Sequence, residues 1–387
     1  MSYLGSDAKT AYKAIKAAPN SYGIFHKTYF HIHTPASHDY RFLNEWKKEQ
    51  YQSASALDIF QICIKRGIFP QNYTLEMLHI REDYTEFQDE KEFLSYLALA
   101  DSLIKKRIEI VVVADHNTIA GFEKLQIAIN ALANMKKPPV SLHVVLGIEI
   151  SCADRNHIVG IFPNTHQIKT ELTSWLDTNL INKELGTYKT GLDVLEFISQ
   201  TNGIGYIAHI DTADIFKGDK YLSEAYRLHL FASPYAKIIG IKEISRKEYF
   251  LERIRQYKKD EVIFVLDNDS HAIDERDDEY FWIKCSHFDY RALCEALTDY
   301  DISIAFTSES YSTKTIRGLY IEKTNDGFLS GKNENEPFCL TFSPALNCLI
   351  GGRGTGKSSI LEMLEFILGQ KCINENRLEF LCQHGNA

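Results

Sequence analysis

Short, nearly continuous apolar runs recur along this chain: YFHIHT (29–34), IEIVVVADH (108–116), SLHVVLGIEIS (141–151), HIVGIF (157–162), GIGYIAHI (203–210), IIGIKEI (238–244), EVIFVLDND (261–269) and DISIAF (301–306). Their length and β-branched content predict strands. Between them, residues 8–18, 119–135, 192–200 and 290–297 carry helical periodicity. Strands apolar throughout, alternating with helices, imply a parallel sheet covered on both faces, open or closed into a barrel, so the fold class is α/β.

Two segments interrupt this rhythm. Residues 41–106 form a long charged insertion, read as mostly helical, whose runs EWKKEQ and REDYTEFQDEKEF are expected to be solvated helix faces. From 308 to 337 the composition turns to Ser, Thr, Asn, Gly and Lys, which marks a boundary with one short strand at 318–322. The chain therefore divides into a helical segment (1–20), a large domain (21–307, with the insertion), a linker (308–337) and a second unit (338–387).

Composition adds limits. With 387 residues, 44% hydrophobic and 25% charged, the chain can bury a sizeable core, and its formal net charge of -9 supplies no global basic field. Nucleic acid would need a local positive patch or bound cations. No signal-peptide pattern and no bilayer-length apolar stretch are present, so a cytoplasmic protein without a membrane partner is expected. Eight cysteines without a CxxC pair read as free thiols, with Cys63 and Cys348 as small core residues.

The chemistry gathers at the C-terminal ends of the apolar runs, where α/β sheets and barrels carry their sites. FHIHTPASHDY holds His31, His33, His38 and Asp39; ADHN holds Asp115 and His116; GIEIS holds Glu149; NHIVGIF holds His157; AHI holds His209; DNDSH holds Asp269 and His271. Imidazole and carboxylate are transition-metal ligands. Residues two apart on a strand share a side, so His31 with His33, and Asp269 with His271, could each hold one ion.

HIHT, ADHN, GIE, a following His, AH and DSH, in this order, resemble the motif series of the PHP (polymerase and histidinol phosphatase) superfamily over residues 22–306. The resemblance implies a distorted β/α barrel of about seven strands, with two or three divalent ions (manganese, zinc or iron) serving phosphoester hydrolysis. By motif, His31 and His33 would bind one ion with Asp269, and Glu149 would bridge to a second completed by His157 and His209. His116 and His271 would hold a third with His38, or with Asp39 in its place. Glu149, Asp269 and His116 would be the catalytic ligands, and Asp115 would orient a ligand or water. Ions about 3.5–4 Å apart acidify a shared water and neutralise phosphoryl oxygens. Tyr29 and Phe30 stand where many members carry an acidic residue before the first histidine.

Near the end, NCLIGGRGTGKSSILEML contains G-x-x-x-x-G-K-S at Gly351, Gly356, Lys357 and Ser358, after an apolar run (346–350) and before a helical pattern (359–368). Backbone N–H groups at Gly351, Gly354, Gly356 and Ser359 would cradle the phosphates of ATP, Lys357 would reach the β/γ-phosphates, and Ser358 would ligate Mg²⁺. The order of elements resembles the opening of an SMC-like or RecN-like ABC ATPase head, and the whole resembles the PHP–SMC-like ATPase fusions called the TrlF family, associated with nucleic-acid metabolism, DNA repair or phage defence. A complete head would imply a homodimer. The tail NENRLEFLCQHGNA reads as a cut end, which makes ATP hydrolysis by this chain an unexpected outcome and leaves Ile360, Leu364 and Ile367 expected at the surface.

Three functions compete. The first is a nuclease or phosphodiesterase acting on DNA or RNA and governed by the ATPase. The second is a phosphomonoesterase of the histidinol phosphatase type, with Arg246 and Lys247 as candidate phosphate grips. The third is a metal-stiffened scaffold or sensor for the ATPase.

Overall fold

A computed structural model of the chain describes residues 6–18, 22–78, 84–135, 142–216, 222–275, 281–307, 314–322, 329–333 and 336–369. Parts of the charged run REDY, of the linker and all of the tail NENRLEFLCQHGNA lie outside the described residues. In chain order the elements are α1 (Ser6–Ala17), β1 (Ile24–Ile32), α2 (Lys48–Ser53), α3 (Ala56–Lys65), α4 (Glu90–Lys105), β2 (Ile110–Val113), α5 (Ala120–Met135), β3 (His143–Ser151), β4 (His157–Phe162) and α6 (His166–Asn179). There follow β5 (Leu180–Asn182), β6 (Gly186–Thr187), α7 (Gly191–Gln200), β7 (Ile204–Ile207), α8 (Glu224–Ala232), β8 (Ile238–Ile241), α9 (Lys247–Arg255), β9 (Ile263–Leu266), β10 (Phe281–Cys285), α10 (Tyr290–Thr298), α11 (Tyr300–Ser303), β11 (Ile304–Ala305), β12 (Gly318–Ile321), β13 (Phe338–Thr341) and α12 (Lys357–Ile367). The chain divides into two compact units, Phe25–Ser308 and a second made of Met1–Ile24 with Glu309–Ala387.

The larger unit is a mixed α/β fold around a curled nine-stranded sheet in the order β11-β10-β1-β2-β3-β4-β7-β8-β9. Past Leu266 the chain swings back to β1: Ile32 and Ser270 form a parallel bridge, and the His33 N–H donates to the Ser270 carbonyl at 2.8 Å. Seven strands, from β1 round to β9, thus draw together at the mouth, while β10 and β11 extend the sheet beyond β1.

The all-parallel expectation needs correction. β4 runs antiparallel to both β3 and β7. The link 152–156 is too short for the crossover that parallel neighbours require. DISIAF is corrected as well: its first half is the helical turn α11, and β11 keeps Ile304 and Ala305, which pair with Ile283 and Trp282 of β10.

Both faces of the sheet are buried, which is why its strands read as unbroken apolar runs. Along β2, Val112 joins Phe30, Val159, Tyr206 and Val265 in one core. Its neighbours Val111 and Val113 turn to another, with Leu94, Leu97 and Leu125.

The charged runs of the insertion are solvated as expected, with Glu45, Lys47, Glu49, Glu86 and Asp89 exposed, but the helix that follows is not. α4 is buried at every position from Phe93 to Leu103, so the charged run leads into a core helix rather than a surface one. Asp89 caps it by accepting from the Glu92 N–H at 2.7 Å.

In the smaller unit β12 pairs antiparallel with β13, and Leu319, Ile321 and Phe342 pack with Ile360 and Met363 of α12. Ile360 is therefore buried, contrary to expectation, although Ile367 is exposed. The apolar run 346–350 forms no strand; Ile350 is 92% exposed and Cys348 lies at the surface, not in a core.

Candidate metal centre

The side chains at the mouth are set by strand ends. β1 carries His31 next to its last residue and hands on His33; β2 leads to Asp115 and His116; β3 carries Glu149; β4 opens with His157, which its reversed direction brings to the same edge; β7 leads to His209. A parallel bridge between His116 and Glu149 extends the sheet to the rim.

Glu149 is the hub and is fully buried. Its Oε2 lies 3.2 Å from His31 Nε2, 3.3 Å from His33 Nε2 and 3.3 Å from His116 Nδ1. Its Oε1 lies 2.7 Å from His157 Nδ1 and 3.1 Å from His209 Nε2. Asp269 Oδ1 sits 3.2 Å from His33 Nε2. On the other side of His33, Asp39 Oδ2 lies 2.8 Å from His271 Nε2 and 3.3 Å from His116 Nε2.

Three overlapping sets of donor atoms result, each close enough to share an ion: His31, His33, Glu149 and Asp269; His116, Glu149 and His157; and His33, Asp39, His116 and His271. His38 is in none of them; its ring lies 5.2 Å from that of His116, and Asp39 supplies the carboxylate at this end. Asp269 and His271 belong to different sets, although His271 Nδ1 lies 3.7 Å from Asp269 Oδ1. The chain is no longer a strand there, and Asp269 sits at φ 44°, so the two-residue alternation is broken.

The electrostatics fit a cation-binding cluster. Burial would push the Glu149 and Asp269 carboxyls up, yet the surrounding imidazoles outweigh it and hold both well below the usual carboxylate range. Burial likewise lowers His31, His209 and His271, and the facing carboxylates reverse this, raising all three. Asp39 is also depressed, its burial overcome by His116 and His271.

Whether these residues suit metal ions is decided by two atoms. His31 Nε2 and Glu149 Oε2 are buried, face each other, and have no hydrogen-bond partner. Unpaired polar atoms in such a place are costly unless a ligand completes them. A set of imidazoles and carboxylates is a donor set for first-row divalent ions, so the fit is good.

Three supporting residues escape a reading of the sequence. Asp267 accepts at 2.6 Å from the His209 N–H, and its other oxygen lies 2.6 Å from His31 Nδ1, fixing that ring's tautomer. Lys242, just after β8, pairs with Asp269. Ser37 Oγ donates to Asp39 at 2.9 Å and lies 3.2 Å from His33 Nδ1. The LDND run signalled that several acids end β9, but not which would turn inward.

Asp115 is outside all three sets. It accepts from the Thr34 N–H at 2.5 Å and hydroxyl at 2.8 Å, anchoring the turn after His33, and burial pushes its carboxyl up to about 6. Arg246 and Lys247 are occupied elsewhere: Arg246 stacks over Phe250, and Lys247 lies over Phe264 and Tyr300.

In the smaller unit, Gly354 and Gly356 take φ of 83° and 85°, and α12 starts directly behind them. Lys357 Nζ donates to the Gly351 and Gly352 carbonyls at 2.7 and 2.6 Å, so it lies folded back over the loop.

No protein-family model matches the chain. A protein of uncharacterised function from Streptococcus pneumoniae serotype 4 (strain ATCC BAA-334 / TIGR4) is 34% identical over 227 residues, 58% of this chain and 86% of the relative. The chain belongs to that protein's family. Among solved structures, the lesion-specific endonuclease PfuEndoQ from Pyrococcus furiosus aligns at 10% identity and TM-score 0.46, over 78% of this chain and 63% of that one. A two-domain protein from Bacteroides vulgatus containing a PHP-like metal-dependent phosphoesterase aligns at 10% identity and TM-score 0.40, over 84% and 85%. At such identities and scores these likenesses carry no argument about this chain. Among the described residues no helix is long and apolar enough to cross a membrane.

Proposed function

We propose that the chain is a metal-dependent phosphoric ester hydrolase whose substrate is the phosphodiester backbone of DNA or RNA, with the P-loop unit binding Mg-ATP to govern it, within a dimer formed by a complete ATPase head. The carrying observation is the buried Glu149 ringed by His31, His33, His116, His157 and His209, with its own Oε2 and the facing His31 Nε2 in ion-pair contact but without a hydrogen bond. Two or three ions would be held by the three sets of ligands already described. When bound they supply Lewis-acid polarisation of a phosphoryl oxygen and a water acidified at neutral pH.

The chain's own residues prepare the site. Asp267 holds His31 and the backbone at His209 in place, Asp115 holds the turn that carries His33, and Ser37 orients Asp39. Lys242, already beside Asp269, offers a mobile ammonium at the position where a phosphoryl oxygen would arrive. DNA repair or phage defence is the setting that the fused P-loop unit suggests.

The test is cleavage by Mn²⁺-reconstituted protein of end-labelled single-stranded DNA, RNA and a mononucleotide, beside His31→Ala/His33→Ala. Polynucleotide products that disappear in the variant are expected; products that persist in it, or none from the parent, would overturn the reading. Binding at the P-loop is tested separately by titrating Mg-ATP into the parent and Lys357→Ala, with loss of binding expected in the variant.

A further inference from the structure

The metal centre opens into a groove of about 560 Å³ lined by the acids Asp39, Glu49, Asp269 and Glu275, by His271, and by Arg41, Trp46, Lys47, Lys48 and Lys242. The cations differ in how they are balanced. Arg41 is paired with Glu275 at 2.6 Å, and Lys242 with Asp269. Among the described residues, neither Lys47 nor Lys48 pairs with a carboxylate. Trp46 rests against Phe42, ring centroids 5.7 Å apart, and keeps part of its surface open.

We infer that this groove is the path of a single-stranded polynucleotide, with Lys47 and Lys48 on backbone phosphates flanking the scissile one and Trp46 stacking on an adjacent base. The inference rests on the phosphodiesterase reading of the neighbouring centre. A phosphomonoester brings one phosphate, which the metal ligands and Lys242 already serve; two further unbalanced ammonium groups match a ligand with more than one phosphate. A chain of net charge -9 repels a polyanion overall, and the groove's four cations are matched by four carboxylates, so capture must come from Lys47 and Lys48 together with cations bound at Asp39 and Asp269. Cations interleaved with an aromatic face are the arrangement that holds single strands, whose unstacked bases are free to stack on a side chain.

The experiment measures fluorescence-anisotropy binding of a labelled single-stranded 20-mer, DNA and RNA in separate arms, to the full chain with Ca²⁺ as the added metal, across a salt series. Variants are Lys47→Ala/Lys48→Ala, Trp46→Ala and, as a control for bulk charge, Lys169→Glu on α6, where Lys169 is half-buried and paired with Glu123. Loss of two phosphate contacts flattens the log–log salt slope by about 1.4 and weakens binding roughly tenfold or more, while Trp46→Ala weakens binding with the slope kept. Lys169→Glu leaves affinity as in the parent. Equal loss in the control, unchanged affinity in the lysine variant, preference for a duplex over both single strands, or no binding by the parent overturns the inference. Thermal melting of each variant identifies any that fails to fold, and Lys47→Gln/Lys48→Gln, which keeps side-chain length, then takes its place. Hydrolysis of bis(p-nitrophenyl) phosphate by the parent with Mn²⁺ runs alongside: its absence sinks the phosphoesterase reading without touching the groove, and its presence with no oligonucleotide binding sinks the groove alone.

Discussion

Asp267 makes no contact with a substrate in the proposed scheme, yet it fixes the His31 ring through Nδ1 and the His209 backbone through its other oxygen. Truncating it to Ala leaves His31 free to turn and to take the wrong tautomer. Metal affinity measured by calorimetry should fall by about 10–100-fold, with the fold retained by circular dichroism. Acidity at the cluster makes a second prediction. His31, His209 and His271 are raised, so their pairing stabilises the metal-free protein below the ordinary imidazole range and is lost as pH rises through their raised values. Glu149 and Asp269 are depressed, so their contribution is present above the ordinary carboxylate range and is lost as pH falls through their lowered values. Ions must displace the imidazole protons. Apparent Mn²⁺ affinity should therefore climb between about pH 6 and 8.5 with protons released, seen as a buffer-dependent calorimetric enthalpy; a flat profile would count against this ligand set. At this scale the sequence was legible wherever a ligand ended an apolar run. It was silent on Lys242 and Asp267, because a lone Lys or one Asp among several carries no mark of the direction it will face once the strand has ended.

Among the elements, α4 joins the charged insertion to the metal centre. Ser102 donates to the Ile273 carbonyl and Lys106 Nζ reaches the same oxygen at 3.1 Å, so the loop that carries His271 is clasped from the insertion side. Leu97 is fully buried in that helix. Leu97→Ala should cost about 2–5 kcal/mol by denaturant unfolding, and should weaken metal binding too if the clasp matters to the site. A smaller change at the start of α5 tests the opposite wall: a Cβ at Gly121 would fall on Asp115 Oδ2 and Thr34 Oγ1. Gly121→Ala should destabilise the protein and lower metal affinity, because Thr34 follows His33 directly. Helix positions were readable from periodicity, as with residues 119–135 against Ala120–Met135. The reversal of β4 was not, since HIVGIF is apolar in either direction and only the short link before it reveals the sense. In the insertion the charged runs were read correctly as solvated, while the core turns that follow QDEKEF, from Phe93 to Leu103, were not singled out.

At the level of the whole molecule, the two compact units have separate cores, one of them drawn from both chain ends. Calorimetry should resolve two unfolding transitions, and Mn²⁺ should raise only the one belonging to Phe25–Ser308, since every ligand of the three sets lies there. A single transition shifted as a block would refute that independence. The division itself was visible as a change of composition near 308, whereas the return of the first helix to the far end of the chain was not, because sequence distance hides such a pairing. The closing bridge between Ile32 and Ser270 has a consequence for biosynthesis. Two of the three donor sets, the ones that contain His33, wait for Asp269 or His271, more than half the chain after His31, before they are complete. A nascent chain leaving the ribosome therefore offers at most the set of His116, Glu149 and His157, and resistance of further bound ions to a chelator becomes a direct clock for the moment the segment after β9 docks on β1.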